Sequence, residues 1–520
     1  MLDQDSGGRS RERAIDPTVF ISFVQETQPQ TWQALEQLHG AGTAGVVIDD
    51  LVKALDGASG VLGVLRHGFK CFGKLIRAAF FAPAHGMNPD TLALYKANRL
   101  TLTRQLRYST KHENSIDMVI GLNGIPVATI ELKNPMTGQT VEHAKHQYKN
   151  DRDPRETVFD FKKRTLVHFA VDPDLAYMTT RLSGTKTVFL PFNRGDGTGA
   201  GNALSPGGYK TAYLWEEVWQ RDSWLDIIAR FVHLQVEERT IAGKKIVKET
   251  MIFPRYHQLL AVRKLESDAR RVGTGSNFLI QHSAGSGKSN SIAWLAHRLA
   301  SLHNDKDQKV FDSVVVITDR RVLDRQLQDT IYQFDHKQGV VQKIDEDSTQ
   351  LADALKNATP IIITTLQKFP FVADKVGELP ERRYAVIVDE AHSSQSGEAV
   401  AELKGVLAAD SIKKKAKEEA EAQGLPDYEE EILKTMVKRG RHPPCSKEGT
   451  NHGQHRQRPQ WSQTPVVHRR QRQAAHRAAR QNAATPRRGR AHQSRERALG
   501  TRRPPAVGPG DAAMGTRHPR

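Results

Sequence analysis

The stretch Asn277-Phe278-Leu279-Ile280-Gln281-His282-Ser283-Ala284-Gly285-Ser286-Gly287-Lys288-Ser289 decides how the chain is read. An apolar run ends in a glycine-rich turn, a lysine and a serine follow, and residues 292–299 carry a helical apolar pattern. That order predicts strand, phosphate loop, helix. Without a Cβ, glycines let successive backbone N–H groups point at phosphate oxygens, so Gly285, Ser286 and Gly287 are expected to cradle a nucleotide. Lys288 would reach the β- and γ-phosphates, and the Ser289 hydroxyl would sit on Mg2+. The usual pattern asks for glycine five residues before Gly287, and here that place holds His282. A glycine-rich turn without a ligand is the plainer alternative.

Residues further along fit the first interpretation. Three apolar runs follow, at 314–318, 361–365 and 385–389. Continuous apolar strands alternating with helical segments predict a parallel α/β sheet. The last run ends in Asp389-Glu390-Ala391-His392. Asp389 would hold Mg2+ through water, and Glu390 would activate the attacking water.

At 520 residues the chain suggests about three domains at ~100–200 residues each. No window approaches 18 uninterrupted apolar residues; the best, 61–81, is broken by Arg66, His67, Lys70, Lys74 and Arg77. No membrane span is expected, and residues 1–13 contain no apolar signal region. Two cysteines, Cys71 and Cys445, cannot build a disulfide framework, which fits a reducing cytoplasm. The net charge of +17 is concentrated: residues 441–520 hold 18 Lys+Arg against 3 Asp+Glu, which leaves +2 for the other 440. Any argument from charge about partners therefore concerns the tail.

Before the phosphate loop, residues 17–65 carry helical periodicity, as at Trp32, Leu35 and Leu38. Residues 115–133 read as two β-prone runs flanking Asn123-Gly124, a strong hairpin signal. Side chains alternate along a strand, so Glu131 and Lys133 share a face, and the hairpin returns Asp117 toward them. Two carboxylates can hold Mg2+ through oxygen. Such a metal polarises a phosphodiester and lowers the pKa of a bound water. Lys133 would orient that water or stabilise developing charge. Asp, 13 residues, then Glu-x-Lys matches the PD-(D/E)xK nuclease pattern. A surface hairpin with ordinary charges fits the same residues. Further strands are expected over 156–192, a loop over 193–209 that either lies along DNA or merely connects, and a helix over 215–236. The polar stretch 237–250 is read as the domain boundary.

A family resemblance rests on Gly68-Phe69-Lys70, Leu94-Tyr95-Lys96-Ala97-Asn98-Arg99-Leu100, Gln105-Leu106-Arg107-Tyr108-Ser109, Asn123-Gly124-Ile125-Pro126-Val127-Ala128 and Glu131-Leu132-Lys133-Asn134-Pro135. With residues 279–297, 313–327 and 389–398, these resemble the restriction (R) subunit of type I restriction enzymes over residues 60–440. The resemblance implies that Asp117, Glu131 and Lys133 are a nuclease core. Many members add Gln-x-x-x-Tyr on the next helix. Here Asp151 stands four residues after Gln147, and the tyrosine, Tyr148, is adjacent. The upstream acidic residue is either Glu26 or Glu36.

In helicase-like motors a glutamine roughly thirty residues before the phosphate-loop lysine reads adenine. Gln258 holds that place before Lys288, with a solvated helix start as the plainer alternative. Thr318-Asp319-Arg320-Arg321 and Thr364-Thr365-Leu366-Gln367-Lys368 resemble motifs Ia and Ib of superfamily 2 helicases. Arg320, Arg321, Thr365 and Lys368 would then contact DNA backbone, unless the arginines are ordinary surface charge.

The expected fold class is α/β. A PD-(D/E)xK endonuclease-like domain occupies 1–240, one RecA-like ATP-binding motor lobe 241–440, and a disordered basic tail 441–520. The implied function is ATP-dependent translocation and Mg2+-dependent cleavage of double-stranded DNA, with ATP and Mg2+ as cofactors. The implied partners are the modification (methyltransferase) and specificity subunits, the latter reading the target. A type III-like helicase–nuclease fusion is the rival enzyme, but there the motor typically precedes the nuclease. An inactive basic nucleic-acid-binding remnant is the rival outside enzymes.

Residues 411–438 read as an exposed charged helical insertion. From Arg441 onward there is no Ile, Phe or Tyr, one Leu, and 17 Arg against one Lys. Such a segment cannot bury a core. It is expected to be an out-of-frame continuation, with a basic DNA-binding arm as the alternative. The family's second lobe, which supplies a transition-state arginine, is not legible in 441–520. The chain as given is therefore expected to bind Mg-ATP weakly without translocating.

Overall fold

The computed structural model describes residues 2–389, except 5–9, 87, 198, 207, 242–243, 284, 319–326, 329, 332–338, 345–347, 366–367, 370–371 and 373–381. Arg320, Arg321, Glu390, the 411–438 insertion and the 441–520 tail lie outside the described residues.

After a short strand, β1 (Leu2–Gln4), come four helices: α1 (Pro17–Thr27), α2 (Pro29–His39), α3 (Thr43–Asp56) and α4 (Gly60–His67). The start of α1 is written in its sequence. Pro17 fixes the first helical φ, and Asp16 Oδ1 accepts the Val19 N–H at 3.0 Å. The helices bury Phe20, Phe23, Leu35, Leu51 and Leu65 in the main core. A small hairpin of β2 (Phe69–Cys71) and β3 (Lys74–Ile76) and then α5 (Pro89–Ala97) lead into the first sheet.

That sheet has seven strands in the order β1, β4 (Leu100–Arg107), β5 (Ser115–Leu122), β6 (Ile125–Leu132), β7 (Val167–Val171), β8 (Ala176–Thr179) and β9 (Leu190–Pro191). The Asn123-Gly124 turn joins β5 to β6 as expected, with φ of +50° and +84°. Both values are positive, as a tight two-residue hairpin requires. A Cβ at 124 would stand 2.4 Å from the Asp16 carbonyl oxygen, so only glycine fits. β6 and β7 are parallel, and the crossover between them carries α6 (Val141–Asn150). All other neighbours are antiparallel except β1 and β4.

The 215–236 segment is not one helix. A π-type turn at Leu214–Val218 precedes α7 (Arg221–Arg230), and His233 already begins a strand. Arg66 stops α7: its guanidinium donates to the carbonyls of Ile228 and Val232, which takes the place of further helical turns. The charged stretch 237–250 is also regular structure, a long antiparallel hairpin of β10 (His233–Ile241) and β11 (Lys244–Ile252).

The second half contains α8 (Tyr256–Val272), α9 (Lys288–Ala300), β12 (Ser313–Thr318), β13 (Val341–Lys343), α10 (Ser348–Lys356), β14 (Ile361–Thr365) and β15 (Tyr384–Val388). The strands form the expected parallel sheet, in the order β13-β14-β12-β15. β12 is buried at every position, as its unbroken apolar run requires. The run before the phosphate loop departs from expectation. Residues 277–281 form no strand, and Leu279 is 86% exposed. An apolar run becomes a strand only when a neighbour takes up its backbone bonds, and none of the four parallel strands pairs with it.

One hydrophobic core runs from α1–α4 through the first sheet and α7–α9 to the inner face of the parallel sheet at Val314, Val316, Ile361 and Ile363. The opposite face packs Val315, Ile317 and Ile362 on Leu351 and Leu355 of α10. No helix among the described residues is long and apolar enough to cross a membrane. Cys71 is buried and free.

Candidate active site

The β5–β6 hairpin brings Asp117, Glu131 and Lys133 together. Asp117 Oδ2 lies 3.7 Å from Lys133 Nζ and accepts the Leu132 N–H at 2.8 Å. Its other oxygen accepts from Gln105 Nε2 at 3.1 Å, and Gln105 Oε1 in turn accepts from the Ser115 hydroxyl at 2.7 Å. Lys133 continues the β6 edge, its N–H donating to the Val171 carbonyl at 2.9 Å.

Glu131 is wholly buried on β6, opposite Ala170 of β7. Arg152, just past α6, meets it: Nε and Nη2 approach Glu131 Oε1 at 2.9 and 2.7 Å. Glu131 Oε2 has no hydrogen-bond partner. Burial pushes the Glu131 carboxyl up to about 8; Arg152 pulls it down, and the facing Asp117 carboxylate pushes it up again. Two carboxylates, one with an orphaned buried oxygen, suit a divalent cation held by oxygen. Among the described residues no group of three or more His, Cys, Asp or Glu gathers as a metal site. A cation here would complete its shell with water, as Mg2+ does.

Beneath the hairpin lies a layer that the sequence did not reveal. The Tyr148 hydroxyl meets Thr129 Oγ1 at 2.9 Å, and Thr129 Oγ1 meets His168 Nδ1 at 2.7 Å, all three side chains buried. Burial holds His168 down to about 3, so its imidazole is neutral. On α6 it is thus Tyr148, not Gln147, that points into the core. Of the two upstream acids, Glu26 pairs with Arg99, and Glu36 stands on the exposed side of α2.

The second cluster surrounds the phosphate loop. Gly285 and Gly287 have φ of +75° and +84°, and Gly287 caps α9, which opens with Lys288 and Ser289. Helix N-termini favour anions. The Ser286 side chain is buried, with no partner for its hydroxyl. Gln258, at the start of α8, is buried with its amide committed. Its Oε1 accepts the Arg255 N–H at 2.9 Å, and its Nε2 donates to the Gly287 carbonyl at 2.9 Å. His257 Nε2 stands 3.2 Å from the Ser286 carbonyl and packs edge-on against His282. Burial lowers both imidazoles. α9 packs on β12, β14 and β15. Asp389 follows β15, its N–H donating to Ile317 at 2.9 Å, so it stands at the carboxyl ends of β12 and β15. Thr365 ends β14, and Lys368 Nζ is turned to the Ile344 carbonyl at 2.5 Å.

Two family models match separate parts of the chain. Residues 32–187 match the family model described as type I restriction enzyme R protein N terminus. Residues 257–412 match the SWI2/SNF2 ATPase model. The type I restriction enzyme HindI endonuclease subunit of Haemophilus influenzae is 28% identical over 317 residues, 58% of this chain and 28% of that protein. The SauMSSORF170P endonuclease subunit of Staphylococcus aureus strain MSSA476 is 24% identical over 307 residues, 58% of this chain and 30% of its own. The SsaAORF53P endonuclease subunit of Staphylococcus saprophyticus is 24% identical over 316 residues, with the same shares. The chain thus spans under a third of the length of these relatives. The chain is R-subunit-like, similar over 58% of its length to the endonuclease subunits of type I restriction enzymes.

Proposed function

We propose that this chain is a restriction subunit in which a PD-(D/E)xK nuclease region, residues 1–240, precedes a RecA-like motor lobe, residues 241–440. Its substrate is double-stranded DNA, its cofactors are ATP and Mg2+, and its partners are modification and specificity subunits. The observation that carries this is the convergence of Asp117, Lys133 and the orphaned Glu131 oxygen on one hairpin. The order of regions favours the type I arrangement over the type III-like one, since the R-protein match precedes the ATPase match.

Asp117 and Glu131 would hold the divalent ion, which supplies Lewis-acid polarisation of the scissile phosphate and a more acidic water. Lys133 Nζ, already beside Asp117, places positive charge where the phosphorane gains negative charge. In the motor region, Gly285, Ser286 and Gly287 would receive phosphate oxygens on backbone N–H groups at the start of α9, Ser286 giving up its 3.3 Å bond to the Ser283 carbonyl. Lys288 would take the β- and γ-phosphates, and Ser289 and Asp389 would hold the magnesium ion. Glu390, which lies outside the described residues, would activate the attacking water. Gln258 holds the Gly287 carbonyl and the Arg255 N–H, and so sets the shape of the loop; both amide atoms would have to leave these partners to read adenine.

The test is Mg2+-dependent nicking of plasmid by the purified full chain, alone and with the partner subunits, together with binding of a fluorescent ATP analogue. Lys133→Ala should abolish nicking and leave nucleotide binding intact; Lys288→Ala should do the reverse in the isolated chain. Nicking that survives Lys133→Ala would remove the nuclease assignment.

A further inference from the structure

Among the described residues, Arg152 is the one charged group that grips the buried Glu131 carboxylate. It comes from the segment after α6, 21 residues further along the chain. Its guanidinium is almost wholly enclosed, with a side-chain exposure of 3%. Every donor edge has a use. Nε and Nη2 both go to Glu131 Oε1, Nη2 also reaches the Ser115 carbonyl at 2.7 Å, and Nη1 reaches the Tyr108 hydroxyl at 3.3 Å. The Tyr108 ring lies under the guanidinium at 5.4 Å. The fork therefore ties the end of β4, the start of β5 and the catalytic edge of β6 to α6.

The asymmetry at Glu131 is the informative part. Both short contacts fall on Oε1, while Oε2, equally buried, has none. A buried carboxylate oxygen without a donor is costly unless something else satisfies it. Its neighbour is the Asp117 carboxylate, which as an anion can only accept, so the pair needs either a proton on Glu131 or a cation between the two. A cation between the two would satisfy both oxygens. We infer that Arg152 is a positioning residue that holds Glu131 by one oxygen so that the other is presented, with Asp117, to a divalent cation. This rests on the nuclease reading of the hairpin. Arg152 touches no reacting atom; like the outer partners of other metal ligands, it fixes the orientation of a ligand that does.

The experiment measures binding of Mn2+ alone to the full chain by isothermal titration, with nicking measured against Mn2+ concentration. Glu131→Gln is the control that reports the site itself, and Arg155→Gln, an exposed arginine nearby, the control for lost charge. Arg152→Gln should weaken the Glu131-dependent Mn2+ binding by about 10–100-fold. It should raise the Mn2+ needed for nicking while the rate at saturating Mn2+ is largely kept. Arg152→Lys, which keeps one donor to Oε1, should recover part of the affinity. If neither Arg152 variant folds, Tyr108→Phe carries the test, since it loosens the fork without touching Glu131, and weaker Mn2+ binding is expected there too.

Unchanged affinity in the Arg152 variants, with loss in Glu131→Gln, overturns the positioning role while leaving the nuclease reading intact. Unchanged affinity in Tyr108→Phe does the same where that variant is the one that folds. Tighter binding in Arg152→Gln overturns the inference in the other direction, because Arg152 would then be competing for the cation's place. If Glu131→Gln leaves Mn2+ binding unaltered, the two-carboxylate site fails, and the nuclease reading with it.

Discussion

The Asp117 carboxylate accepts the backbone N–H of Leu132 at 2.8 Å, across the hairpin that holds both residues. Asp117 thus serves two purposes. One oxygen closes the β5–β6 ladder beyond its last backbone pair, Met118 with Ile130, and also faces Lys133. The structural part needs an acceptor; the chemical part needs a charge. An amide supplies the first and not the second. Asp117→Asn should therefore reduce Mg2+-dependent nicking to background, with a stability loss under about 1.5 kcal/mol in urea denaturation. A loss of several kcal/mol would make Asp117 chiefly a strut of the hairpin.

The buried Glu131 gives the site a pH dependence of defined sign. Burial raises its folded-state pKa from 4.5 to about 8, so the folded chain keeps a proton that the unfolded chain releases. The stabilisation from that proton is complete below about 4.5 and is lost as pH rises through about 8. Metal binding needs the carboxylate, so it runs the opposite way and strengthens over the same window. Without divalent ion, wild-type stability should therefore fall relative to Glu131→Gln between pH 5 and about 8. Adding Mg2+ should reverse the slope for the wild type only. Denaturation series at stepped pH, with and without Mg2+, measure both. Parallel curves for the two proteins would mean that Glu131 does not titrate in this range.

Gly287 sits at φ +84°, where an L side chain is strained by about 1–3 kcal/mol. A Cβ there would also stand 2.5 Å from Gln258 Nε2, the atom that donates to the Gly287 carbonyl. Gly287→Ala should weaken binding of a fluorescent ATP analogue by at least about tenfold, a 1.4 kcal/mol effect. Adding Gln258→Ala removes the clash but not the backbone strain, so it should recover only part of the loss. Full recovery in the double variant would mean that the glycine is needed for room alone.

These residues also show where the sequence was legible. Asn123-Gly124 dictated its hairpin because two consecutive positive φ values admit few residue pairs. The runs that became β12 and β14 were plain because a strand covered on both faces has no polar position to spare. The run at 278–280 has the same composition and lacks a pairing neighbour, and composition does not encode the neighbour. The β10–β11 hairpin was hidden for the converse reason. Much of it faces solvent, as with Val247 at 52% exposure, so its charges read as a linker. Arg152 gave no signal at all. Its partners at 108, 115 and 131 are distant in sequence, and no periodicity joins a lone arginine to a carboxylate 21 residues earlier, across α6.

The seam between the first region and the phosphate-loop helix is a buried charge network, and it should be the least forgiving part of the fold. Arg298, on α9, is 6% exposed. Its Nε donates to Glu266 Oε2 of α8 at 2.5 Å, and its two terminal nitrogens reach the two Asp226 oxygens of α7 at 3.0 and 3.2 Å. Burial alone would raise Asp226, but Arg298 and Arg263 outweigh it and hold the carboxyl below its ordinary range. Trp294, one turn earlier on α9, donates to the Phe231 carbonyl at 2.7 Å, and Phe231 lies under the Arg298 guanidinium at 4.7 Å. Removing Arg298 leaves Asp226 and Glu266 to the more exposed Arg263 and Arg270, and breaking a buried charge network costs about 3–5 kcal/mol. Arg298→Ala should incur that loss, and because the pair is enclosed the loss should change little between low and high salt. Arg298→Met with Asp226→Asn and Glu266→Gln removes the most buried charges together and keeps the volume, leaving the more exposed Arg263 and Arg270 to solvent, so it should recover part of the stability. If the triple variant is as unstable as Arg298→Ala, the seam depends on hydrogen-bond geometry rather than charge balance. Nucleotide binding should follow stability across the series, because the helix that carries Lys288 and Ser289 is seated by these contacts.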